Sequence, residues 1–157
     1  MKSLGDFLYH EGPLLSHVVN EKNENYLMLW AGQDAQYNRW LLSKTTLDLL
    51  HQYFQKRMNL REVILSNPDG FVYFVDIDND IVWRRAYLVE NSSIESESLP
   101  GENSYFGTTF YEEYAYQLKS SLESHFARQQ KVYETIEPEA AHVMEPPSDN
   151  AYRKKNK

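Results

Sequence analysis

Three short apolar runs with polar turns between them, all inside the first 45 residues, limit what this chain can fold into more than any other feature. Pro13–Val19 is the first. Tyr26, Leu27, Met28, Leu29, Trp30 and Ala31 form the second, and residues 37–43 the third. Residues 21–25 and 33–36 separate them with asparagine, glutamine, aspartate and glycine-adjacent positions suited to turns. Each run is too short for a typical helix and is bounded by turn residues, so each reads as a strand. Strands this close in sequence pair as an antiparallel meander. Residues 4–10 before them read as a short apolar entry segment, punctuated by Gly12-Pro13.

The pattern then changes to a helical one. Thr45 is expected to cap a helix whose apolar face is Leu47, Leu50 and Phe54, with Tyr53 beside it. Asn59 with Glu62 forms a second capping pair ahead of Leu60, Val63 and Ile64. Asn67-Pro68-Asp69-Gly70 is a turn. Phe71, Tyr73, Val75 and Ile77 alternate along a strand, which residues 78–80 turn into a second strand over residues 81–89. Residues 91–102 are polar, serine-rich and acidic, and read as an exposed loop. Thr108 or Thr109 is expected to cap a final helix from about Phe110 to about Tyr133, with Tyr111, Tyr114, Leu118, Leu122 and Phe126 as its stripe. The order βββααββα predicts an α+β fold: an antiparallel sheet of about five strands, helices on one side and a long C-terminal helix. One domain is expected over residues 1–136. Residues 137–157 read as a disordered, proline-containing tail with a basic end.

Charge narrows the function classes. The chain carries −7 overall, but four of its positive charges lie in its last five residues, so residues 1–152 hold 12 positive and 23 negative charges. So acidic a body repels phosphate backbones, and direct nucleic-acid binding is not expected. There are no cysteines, which excludes disulfides, thiolate metal sites and cysteine nucleophiles. Without a signal-peptide pattern or an 18-residue apolar stretch, the expected location is the cytoplasm, with no membrane partner. Tyrosines, 12 of them, suit half-buried positions and contact surfaces.

No catalytic motif emerges. Asp76, Asp78 and Asp80 have the spacing of the first three ligands of a calcium loop, but Ile81 stands where its glycine belongs and Tyr87 where its bidentate glutamate belongs. The metal question at these aspartates is left between a hairpin turn and a magnesium site. The five histidines have no zinc-helix spacing, and Ser16 and His17 point to opposite faces of a strand. The glycines are scattered, without a phosphate-cradling loop. No cofactor is implied. The candidate partner-binding residues are Arg84 and Arg85, a local basic spot on an acidic protein, with Tyr105 and Tyr116 around the start of the last helix.

Several of these features occur together: Gly12-Pro13-Leu14-Leu15, Tyr26-Leu27 with Leu29-Trp30, Trp40-Leu41, Leu60-Arg61-Glu62, Val72-Tyr73 with Val75-Asp76, and Leu99-Pro100 near Ser104-Tyr105-Phe106. In this order they resemble an uncharacterised bacterial family, a domain of unknown function, over about residues 5–107. The resemblance rests on turns, core aromatics and a helix cap, and implies a bacterial or phage origin without transferring a catalytic residue. The expected role is a non-catalytic protein-binding module, an accessory subunit or regulator of the immunity, antitoxin or defence kind, in a hetero-complex or homo-oligomer. Two other readings are a divalent-metal-dependent enzyme using Asp76 and Asp78, and an acidic mimic of nucleic acid.

Overall fold

A computed structural model of the chain describes residues 1–33, 35–78 and 83–144; the side chains of residues 83, 84 and 133–144 are outside the description. Contacts divide the chain into two units, Met1–Ser120 and Ser121–Lys157. The first holds a sheet of six antiparallel strands in sequence order: β1 (Lys2–Tyr9), β2 (Pro13–Val19), β3 (Asn25–Gln33), β4 (Tyr37–Lys44), β5 (Phe71–Asp78) and β6 (Trp83–Glu90). Helices α1 (Leu47–Phe54) and α2 (Leu60–Leu65) connect β4 to β5. Two 3-10 turns follow β6, at Asn91–Ser93 and Ser96–Ser98. Helix α3 (Glu113–Met144) begins in the first unit. The class is α+β, as the sequence predicts, but with six strands rather than five.

The extra strand is the entry segment. In β1, Gly5 and Asp6 interrupt the apolar pattern, and three register shifts break its pairing with β2. It is held by contacts far away in sequence. Phe7 is wholly buried between His17, Phe54 and Tyr114. The amide of Glu112 donates to the Phe7 carbonyl at 2.9 Å, which satisfies a backbone group on β1 beyond its pairing with β2.

Register separates the two faces of the sheet. On the first lie Leu15, His17, Leu27, Leu41 and Ser43, continued through β5 by Val72, Phe74 and Asp76. Helix α1 and residues 106–114 pack here, with Phe54, Tyr53, Phe106 and Tyr111 in edge-on or tilted ring contacts. The Tyr53 and Tyr111 hydroxyls meet at 2.6 Å, so neither is left unpaired in the core. Phe71, Tyr73, Val75 and Ile77 do share a face, but it is the second one, away from α1.

Local signals set the helices. Thr46, not Thr45, caps α1, its hydroxyl accepting from the Leu49 amide at 3.1 Å. Thr45 is buried and gives its own amide to the Asn25 carbonyl instead. Asn59 and Glu62 form the expected reciprocal capping box of α2. Asn67 closes the turn into β5 by accepting from the Gly70 amide at 2.7 Å. Helix α3 starts at Glu113, three residues past expectation, because Thr108 bonds back to the Tyr105 carbonyl and Tyr111 turns into the core. It runs on to Met144, so the expected boundary at Glu137 falls inside it. Among the described residues, no helix is long and apolar enough to cross a membrane.

Candidate functional site

Beyond the helices, the first face of the sheet ends in charge. Arg39 on β4, Asp76 on β5 and Arg85 on β6 are direct cross-strand neighbours. The Asp76 side chain has no exposed surface. Arg39 donates to it twice, Nε to Oδ1 at 2.8 Å and Nη2 to Oδ2 at 3.0 Å, and Arg85 donates Nε to Oδ2 at 2.5 Å. Both guanidiniums lie between the rings of Tyr37 and Tyr87, at 5.4 to 5.9 Å from the ring centres. Tyr37 also accepts from Arg39 Nη2 at 3.1 Å. The hydrogen bonds from Arg39, followed by those from Arg85, hold the Asp76 carboxyl below its ordinary range against the opposing effect of burial. The same bond to Asp76 raises the pKa of Arg39. Two guanidiniums thus share the Asp76 carboxylate, with Asp78 next along the same face.

This arrangement decides how the expected site residues are used. Arg85 is committed to Asp76 through Nε, although its side chain remains 58% exposed. Arg84 is on β6, with its side chain outside the described residues. Asp76 has both oxygens occupied by arginines, so a cation there would have to displace them. Asp78 sits opposite Tyr37 on the same face, and Asp80 is outside the described residues. Among the described residues, no three His, Cys, Asp or Glu side chains are grouped to hold a metal ion. Tyr105 is half-buried, while Tyr116 is exposed with its ring edge-on to Phe106. Among the described residues the partners of Arg39 and Arg85 are Asp76, Tyr37 and Tyr87, not these two tyrosines. Arg39 was missed because nothing in its local sequence marks it; only the β4–β5 register brings it to Asp76.

Next to this cluster is a cavity of about 280 Å³. Arg39, Phe74, Tyr87 and Val89 form its wall on the sheet. Ser93 and Ser98 of the two 3-10 turns, with Ile94 and Glu95 between them, also line it.

A second polar group is buried at the other end of the same face. His17 accepts at Nδ1 from the Tyr114 hydroxyl and donates from Nε2 to Asn25 Oδ1, both at 2.8 Å, in the tautomer this pairing implies. Burial lowers the His17 pKa and raises that of Tyr114. With both ring nitrogens engaged, His17 links β2, β3 and α3. Ser16 points the other way and donates to Asp6 at 2.6 Å.

The second face of the sheet is apolar, buried in part and exposed in part. Val18, Tyr26, Leu42 and Met28 form a small cluster on it. Toward β4–β6, Trp30 is 38% exposed, Tyr73 36% and Leu88 49%. Trp40 lies opposite Trp30, and Val75 lies between Trp40 and Ala86. Asn38 holds the Trp30 indole through a 2.9 Å bond from Nε1. Acidic groups border this face: Asp6, Glu90 opposite Phe71, and Glu24 and Asp69 around Lys44. Comparison with protein families, curated proteins and solved structures finds no match to this chain.

Proposed function

We propose that this chain is a non-catalytic protein-binding module that docks a partner protein on the second face of its sheet. The observation that carries this reading is that Trp30, Tyr73 and Leu88, large apolar side chains in two neighbouring cross-strand rows of one face, are each more than a third exposed. Antiparallel sheets often present one face to water, but such a face is then mostly polar. Tryptophan and tyrosine are the residues most enriched in the buried centres of protein interfaces. The acidic border and the net negative charge favour a partner with a basic rim around an apolar centre, rather than a second copy of the same acidic chain. The buried Asp76 and His17 support the same reading, since each is fully engaged in holding strands together. In this role the chain serves as an accessory subunit or regulator within a bacterial or phage complex, of the immunity, antitoxin or defence kind.

The test compares the tagged chain with its Trp30→Glu/Tyr73→Glu variant in the native host. A stoichiometric partner retained by the wild-type chain and by a Phe110→Glu control, but lost from the double variant, is the expected result. A partner that stays bound to the double variant, or a chain that purifies alone or as a homodimer, overturns it.

A further inference from the structure

We propose that β6 takes up an extended segment of the partner protein as an added strand at the edge of the sheet. The inference rests on the docking reading above, because β6 borders the same face and an added strand would widen it.

The two edges of the sheet differ. Strand β1 is irregular: three register shifts break its pairing, Gly5 weakens it, and the Glu112 amide bonds to its Phe7 carbonyl. Irregularity and backbone cover of this kind keep foreign strands off an edge. Strand β6 has neither over most of its length. From Arg85 to Glu90 its pairing with β5 is unbroken, and it contains no proline or glycine. The Arg85 side chain is spent on Asp76. Among the described residues no strand lies beyond β6, and no loop backbone bonds to Ala86 or Leu88.

The phase of the ladder identifies the main-chain groups left over. The Asn91 amide donates to the Gly70 carbonyl at 3.0 Å, and this pair continues the register in which Glu90 lies opposite Phe71. Hydrogen-bonded and non-hydrogen-bonded pairs alternate in an antiparallel ladder. Val89 and Tyr87 therefore bond to β5, while Ala86, Leu88 and Glu90 turn their N–H and C=O groups outward. A second extended backbone matches such a row of donors and acceptors.

Register also sets the chemistry of the incoming segment. Two cross-strand rows of the second face end on β6, one through Met28, Leu42, Tyr73 and Leu88, the other through Trp30, Trp40, Val75 and Ala86. Ala86 and Leu88 are both exposed. Side chains placed opposite them share the second face, which selects apolar residues there, alternating with polar ones on the first face. Glu90 selects a basic residue at one end. The net charge of −7 disfavours a second copy of the chain as the occupant.

The experiment titrates the ¹⁵N-labelled full chain with the capped heptapeptide Lys-Val-Thr-Val-Thr-Val-Lys, and with the same peptide N-methylated at its valines. The first peptide is expected to give saturable shifts along β6 and to slow amide exchange at Ala86 and Leu88 by at least about tenfold, with little change at Tyr87 and Val89. The methylated peptide should do neither. Ala86→Pro removes one outward N–H at an edge position that tolerates proline. It should weaken the peptide by at least about tenfold while the spectrum outside β6 is preserved. The proposal is overturned by the absence of saturable shifts up to ~1 mM, by equal binding of the methylated peptide, or by unchanged affinity in Ala86→Pro. Concentration-dependent protection of Ala86 and Leu88 without peptide overturns it in favour of a second copy. The Trp30→Glu/Tyr73→Glu comparison tests side chains of the face and this titration tests the main chain of the edge, so failure of one is told apart from failure of the other.

Discussion

At the scale of single residues, two buried polar groups carry opposite kinds of chemistry. Asp76 is charged and shared between two arginines, so Asp76→Asn keeps its shape but leaves both guanidiniums without a counter-charge. Removing one member of a fully buried pair costs roughly 3–5 kcal/mol. Solvent reaches Arg85, which brings the expected loss to about 2–3 kcal/mol in urea unfolding. Because the folded-state pKa of Asp76 is lowered, its contribution is present above the ordinary carboxylate pKa and is lost as pH falls through the lowered one. His17 is neutral and bracketed. Its folded pKa also lies below 6.5, so the unfolded chain binds its proton first. Stability from this site is therefore complete above about pH 6.5 and declines as pH drops toward the folded value. The urea midpoint measured from pH 7.5 to 5 should fall, and His17→Gln should flatten that part of the profile. An unchanged slope in the variant would show that His17 is not the titrating group.

The elements show which parts of a fold can be read locally. Strand β2 was legible to the residue, and the α2 capping box and the turn at Asn67 were legible as short-range chemistry. An alanine at Asn59 removes the side-chain acceptor of that box and should cost about 1 kcal/mol by thermal or urea unfolding; no loss would mean that α2 is held by packing alone. Strand β1 was not legible, because its position depends on a distant side chain. The Tyr114 ring lies over Gly5, where a Cβ would come within 3.0 Å of three ring carbons. The Gly5→Ala substitution should therefore displace Tyr114, disturb its bond to His17 and destabilise the chain by roughly 1–3 kcal/mol. A neutral effect would show that β1 docks without that contact. The start of α3 was misplaced for a related reason: Tyr111 is drawn into the core by Phe106 and Tyr53, and the helix cannot begin until the chain has left it.

Taken whole, the sheet has one face covered by α1 and residues 106–114 and a second face that keeps Trp30, Tyr73 and Leu88 exposed. The sequence announced an α+β chain rich in tyrosine, and it placed Arg85 and Asp76 among the residues of interest. It could not join them to Arg39, since cross-strand neighbours are set by register and not by spacing along the chain. Nor could it separate the apolar residues that face α1 from those left facing water, because the alternation of Phe71, Tyr73, Val75 and Ile77 marks one face of a strand without saying which face α1 covers. With acids around an apolar centre, partner binding should weaken moderately as salt rises while retaining a salt-insensitive component. The direct measurement is oxidative footprinting of the chain, free and in its native-host complex. Trp30 and Tyr73 are predicted to be protected in the complex while Tyr9 and Phe110, exposed elsewhere, keep their reactivity. Protection at Tyr9 and Phe110 with Trp30 and Tyr73 unchanged would contradict docking on the second face.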